Sequence, residues 1–132
     1  MKHATLEPRT FARGWAAILA VLVAVGVTTE FTSHGRFIPG FLAFDWTHDA
    51  LHVGLLTLAL FMGFRATNRA VFMYAVTFGF GGLVIATLGF IPATNHLLAT
   101  AFGLHLELGE NIVHGLLGAW GILAAVAVRG ST

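Results

Sequence analysis

Four apolar runs, near residues 11–29, 46–64, 70–91 and 107–128, decide what this chain can fold into. A helix needs about 20 residues to cross the hydrocarbon core of a bilayer, and each run is about that long. The fold class expected is therefore all-α: a four-transmembrane-helix bundle forming a single integral membrane domain across residues 1–132. Composition agrees, because 57% of the chain is hydrophobic and only 10% is charged. A water-exposed surface of a small domain wants roughly 25–35% charge, so most of this surface must face lipid. The short link "RATNR" folds spans two and three into an antiparallel hairpin, while longer loops near 30–45 and 92–106 join the other pairs. With no cysteine, thiolate metal sites, disulfides and cysteine catalysis are excluded. No basic stripe with interleaved aromatics suggests nucleic acid.

The few charges are sorted. With both termini inside, Lys2, Arg9, Arg13, Arg65, Arg69 and Arg129 share one side and only Arg36 lies opposite. The positive-inside rule then places both termini in the cytoplasm of a bacterial inner membrane. Acids run the other way: Glu30, Asp45, Asp49, Glu107 and Glu110 sit at outer ends of spans, and Glu7 alone is inside. His34, His48, His52, His96, His105 and His114 share that outer side. Loop polarity accounts for His34, His96 and His105, but not for histidines within spans. Three aromatics near the expected interfaces, Trp15, Trp46 and Tyr74, suit an aromatic belt, and Trp120 falls mid-span as a packing residue. The basic start and apolar first run would also suit a signal peptide; an internal repeat argues instead for a permanent first helix.

That repeat has two landmarks. "RFIPG" at 36–40 and "GFIPA" at 89–93 share Phe-Ile-Pro, and each leads to a span opened by an acid or amide three residues before a histidine. These pairs are Asp49 with His52 in "HDALHVGLL" and Asn111 with His114 in "ENIVHGLLG". Spans one and two, and spans three and four, thus read as duplicated helical hairpins. Both begin and end inside, so the repeat is parallel, with a pseudo-twofold axis along the membrane normal. His52 and His114 then lie at equal depth. The doubled pattern resembles an uncharacterised bacterial four-helix membrane family, catalogued as domain of unknown function 4383, with Ala93 standing where its second glycine falls. The resemblance implies the four-helix architecture and supplies no activity.

Helical periodicity places Asp45, His48, Asp49 and His52 within about 100° of one another, a stripe continued by Leu56, Ala59 and Gly63. On the fourth span Glu107, Glu110, Asn111 and His114 share a face continued by Gly118, Gly121 and Ala125. Small residues let helices approach closely in lipid, and further stripes run through Ala75, Gly79, Gly82, Ala86 and Gly89, and through Ala17, Ala20, Ala24 and Thr28. These stripes are the expected packed faces.

Ionisable groups within a bilayer pair with one another or serve a function, and three readings follow. In a structural one, Asp45 caps the second helix, Asp49, Glu107 and Glu110 complement helix dipoles, and His52 and His114 bond across the bundle to Asn111 and Asp49. In a second, His48, Asp49, His52, Glu107, Glu110 and His114 supply ligands for a divalent transition metal, or relay protons. The di-iron pattern of two Glu-x-x-His motifs with two further glutamates is absent. In a third, His52 and His114 bind a b-type haem or chlorin, with Gly54, Gly115 and Gly118 leaving room for the ring. Phosphate-binding loops, nucleophile elbows and His-Glu-x-x-His motifs are missing, and tight small-residue contacts leave little lumen for a channel. The reading expected is a non-enzymatic accessory or structural subunit, in contact with lipid and with other membrane subunits or its own copies.

Overall fold

The computed structural model describes residues 7–34, 36–38 and 41–129; Lys2, Pro39 and Gly40 lie outside them. The elements are α1 (Pro8–Ser33), β1 (Arg36–Ile38), β2 (Leu42–Ala43), α2 (Trp46–Phe64), α3 (Asn68–Phe90), α4 (Pro92–Phe102) and α5 (Leu108–Arg129). Four of these helices, α1, α2, α3 and α5, are long and apolar enough to cross a membrane. The two connections expected as loops carry structure. The first holds an antiparallel pair of short strands, with Arg36 opposite Ala43 and Ile38 opposite Leu42. The second holds α4, which at 11 residues is too short to span.

Local chemistry sets the helix ends. Pro8 opens α1, where its missing N–H is not needed. The helix runs past the apolar stretch to Ser33, and there Thr28, Thr29, Thr32 and Ser33 satisfy their hydroxyls on carbonyls three or four residues back. Asp45 caps α2 and Thr67 caps α3, each accepting from a backbone N–H of the first turn. Before Pro92 the chain cannot stay helical, and Ile91 turns extended (φ −94°, ψ 113°). Pro92 then starts α4, which stops at Gly103 in the left-handed region (φ 67°). Asn95 fastens the return segment, its Nδ2 donating to the Leu106 carbonyl at 2.7 Å.

The most extensive packing joins α3 with α5 and α1 with α2; α1 also touches α3 and α5, whereas α2 and α3 meet only sparingly. The core lies mainly in the half of the bundle that holds the start of α1, around Phe11, Trp15, Leu19, Ala59, Val71, Tyr74, Ala75, Ala124 and Ala125. Close approach of α3 and α5 rests on the expected stripes: a Cβ on Gly79 would stand 2.7 Å from the Ile122 nitrogen. Trp120 packs edge-on to Phe11 with centroids 5.3 Å apart.

Two expectations are corrected. The α1 stripe of Ala17, Ala20, Ala24 and Thr28 faces outward; the inward face carries Phe11, Ala12, Trp15, Ala16, Leu19, Gly26 and Thr29. Large apolar side chains make many more van der Waals contacts between helices than alanines can, and in lipid such contacts drive association. Trp15 and Tyr74 are core residues at 7% and 4% exposure, so of the three belt aromatics only Trp46 is exposed.

The end of the bundle that holds the α2–α3 link is tied by arginines. Arg13 Nε donates to the Gly63 carbonyl at 2.9 Å, and Arg9 Nη2 donates to the Ala66 carbonyl at 2.9 Å and Asn68 Oδ1 at 2.8 Å. Charged donors to carbonyls at a helix end contribute about 1.5–3 kcal/mol. Arg13→Met keeps the aliphatic stem and is expected to lower unfolding free energy in detergent by about that amount; an unchanged denaturant midpoint would contradict the tether.

Candidate metal centre

The N-terminal end of α2 brings its polar residues toward the other helices, with its first turn fixed by the Asp45 cap. Asp45 Oδ1 accepts from the His48 N–H at 2.8 Å, and one turn of helix later His48, Asp49 and His52 all face the bundle, at 5%, 2% and 6% exposure. Across from them, the first turn of α5 is set by Glu110. Its Oε2 accepts from the Glu107 N–H at 2.7 Å, which buries the Glu110 side chain to 5% exposure. The Gly109 N–H also donates to the Phe41 carbonyl at 2.7 Å, joining α5 to the strand hairpin above the site.

Three imidazoles converge there. Ligand atoms of His48, His52 and His114 all lie within 4.8 Å of one another. The His48 ring stands 4.4 Å from that of His52 and stacks on His114 at 6.3 Å and 7°. Glu110 sets two of the three rings. Its backbone carbonyl accepts from His114 Nδ1 at 2.8 Å. Its Oε1 lies 3.2 Å from His48 Nδ1, within ion-pair reach though not aligned as a straight hydrogen bond. Since a carbonyl only accepts, His114 carries its proton on Nδ1 and keeps the Nε2 lone pair free. Metal-binding histidines are held in this way, with the second ring nitrogen bonded to a carboxylate or carbonyl.

A cavity of about 40 Å³ adjoins the three imidazoles and Glu110, with Leu42 and Phe44 among its lining residues. One water or ion needs about 10–15 Å³, so the space suits an ion. Among its lining residues, His52 Nδ1 is buried without a hydrogen-bond partner among the described residues; elsewhere at this end of the bundle the same holds for both Asp49 oxygens, Glu107 Oε2 and Asn111 Oδ1. Each such group costs about 1–3 kcal/mol unless something satisfies it.

No protein-family model, curated protein or solved structure matches the chain.

Of the six ligand candidates in the sequence, three form the cluster and Glu110 supports it. Asp49 instead lies against Gly26 of α1, where an added Cβ would overlap its carboxylate. Glu107 is half-buried, and neither it nor Asp49 joins the group of mutually close ligand atoms. The expected bonds from His52 and His114 to Asn111 and Asp49 do not form: His114 bonds the Glu110 carbonyl, His52 Nδ1 has no hydrogen-bond partner among the described residues, and Asn111 and Asp49 are turned onto Gly89 and Gly26. His34, His96 and His105 are exposed, as loop residues should be. Sequence reasoning missed Gly26 and the double role of Glu110. The first was legible in principle, since Gly26 precedes Asp49 by nearly the same distance as Gly89 precedes Asn111.

Proposed function

We propose that this chain is a multi-pass membrane protein whose His48, His52 and His114 bind one divalent transition-metal ion, with Glu110 orienting two of the ligands. The observation that carries the reading is the convergence of three imidazoles from two helices on a small cavity. Zinc with three protein nitrogens and one open position is the simplest fit, and imidazole also suits copper and iron. Zn–N bonds of about 2.0–2.1 Å put tetrahedral ligand atoms about 3.4 Å apart, so an ion draws these side chains in by about 1.4 Å at most. A b-type haem or chlorin between His52 and His114 fits less well, because the His48 ring already lies against both.

Such an ion would join α2 to α5 near the outer end of the bundle, where the backbones of the two helices pack little against each other. That suits an accessory or structural subunit. A second reading, purely structural, is favoured by the His48–Glu110 contact, which links the same two helices without metal. Metal analysis of protein purified in detergent, followed by zinc titration of the stripped form, tests the first reading. Absence of stoichiometric binding of zinc, copper or iron would leave the second.

We also infer a parallel duplication of helical hairpins, as in the four-helix family that the Phe-Ile-Pro landmarks resemble. Its support is packing: Asp49 lies on Gly26 and Asn111 on Gly89, in both cases three residues before a cluster histidine. Large exposed apolar side chains such as Phe31, Phe80, Leu116 and Val126 suit contact with lipid, other membrane subunits or a second copy. The bacterial inner membrane, with both termini cytoplasmic, is the setting that the arginine bias supports. A reporter fused after Thr132 is expected on the cytoplasmic side and one inserted after Gly40 outside. A C-terminus cut by protease in intact spheroplasts would overturn this orientation.

A further inference from the structure

A second, larger cavity of about 560 Å³ lies beside the cluster, between α2 and the α3–α5 pair. It exists because α2 and α3 separate beyond their short link and touch little. Leu51 and Gly54 on one side and Thr77 and Ile85 on the other are exposed, so the mouth opens sideways, toward the acyl chains of a bilayer. Glycines 81, 82 and 118 make a side-chain-free wall, and His52 and His114, with Thr77 at the mouth, bring polar side chains to the lining. These two imidazoles also border the small cavity, so they stand between the two spaces. His52 is 6% exposed and its Nδ1 has no hydrogen-bond partner among the described residues.

We propose that this cavity binds a flat, lipid-soluble ring compound bearing a carbonyl oxygen, of the quinone class, which enters from the bilayer and presents that oxygen to the His52–His114 pair. The proposal rests on the metal reading only in locating the oxygen beside the ion; the cavity and its histidines stand without it. An acyl chain would fill the space too, but would leave the imidazoles unsatisfied. A carbonyl oxygen accepts from an imidazole N–H or takes an open position on a metal. The glycine wall admits a ring face at contact distance, and the lateral mouth excludes ions and water-soluble substrates by the cost of crossing lipid to reach it.

The test uses two probes of one shape: duroquinone, and durene, which lacks the oxygens. Binding to the full chain is measured by equilibrium dialysis in detergent micelles, as excess over a cavity-filled variant in the same micelles. Gly81→Leu and Gly54→Leu serve as fillers, because an added Cβ at either position meets nothing within 4 Å. We expect duroquinone to bind at least tenfold more tightly than durene, Gly81→Leu to weaken it at least tenfold, and zinc stoichiometry to stay unchanged in that variant. His52→Leu should bring duroquinone down to the affinity of durene. Equal binding of the two probes, or duroquinone binding undiminished by both fillers, would overturn the proposal. Failure of the metal reading shows separately, as lack of zinc binding by wild type whatever the probes do.

Discussion

Stripped of metal and titrated with zinc in detergent, the wild-type protein is expected to take up one equivalent and to melt at a higher temperature, whereas His52→Ala should take up none. At a free zinc concentration a hundredfold above Kd, binding only the folded state adds about 2.7 kcal/mol. His52 is the informative position because its Nδ1 makes no hydrogen bond among the described residues. If the cluster were structural only, removing that ring would cost packing alone, with zinc-independent melting in both proteins. Glu110→Gln keeps the backbone carbonyl that accepts from His114 but loses the carboxylate facing His48. Changes in such supporting groups weaken metal binding by about 10–100-fold, so zinc affinity should fall by that factor without vanishing. His114→Asn separates the readings further. An amide can donate to the Glu110 carbonyl, so structural stability should return toward wild type, yet an amide nitrogen is a poor ligand and zinc binding should not. Zinc-dependent melting retained in His52→Ala would remove His52 from the site, and rescue by His114→Asn with no zinc effect on wild type would favour the structural role.

Much of this arrangement was legible from residue spacing. Apolar runs gave the four long helices to within a few residues at most ends, since length against hydrocarbon thickness is a strong constraint. The polar face of α2 followed from helical periodicity, and Asp45 was recognisable as its cap. Other features depend on three-dimensional choices that periodicity leaves open. In α1 the alanine stripe and the Phe11–Trp15–Leu19 stripe are both helical faces, and burial of the larger one decides. Trp15 and Tyr74 look like interface aromatics by position along the chain, but they fill the space where α1 meets its neighbours. The short helix α4 was hidden because "PATNHLLATAF" is too short and too mixed to register as a span. A meeting of His48, His52 and His114 was expected among six candidates, but not that these three converge without Asp49 and Glu107, since spacing shows which helix face a side chain takes and not how near another helix brings its own.

Gly118→Leu should abolish the folded bundle, whereas Gly81→Leu, on the helix facing it, should leave stability near wild type. The difference follows from what each new side chain meets. A Cβ on Gly118 would stand 2.6 Å from the Leu83 nitrogen and 2.8 Å from the Gly79 carbonyl oxygen, both backbone atoms that cannot rotate aside. Gly81 meets nothing within 4 Å. Overpacking a close-packed site costs about 1–3 kcal/mol when side chains can yield, and here only whole-helix displacement yields. The α3–α5 contact is the most extensive in the protein, and small residues matter most where dispersion between helices drives association. His114 lies one turn before Gly118 on α5, so prying the helices apart also displaces a cluster ligand. Gly118→Ala adds the clashing Cβ without the rest of the side chain, so it is expected to cost more than the range for yielding side chains but less than Gly118→Leu, and to lower zinc affinity, giving a graded series. The series is read by gel filtration, thermal melts and zinc uptake in one detergent. A Gly118→Leu protein that melts and binds zinc like wild type would mean that α3 and α5 do not pack backbone to backbone, and the placement of His114 against His48 would fall with that contact.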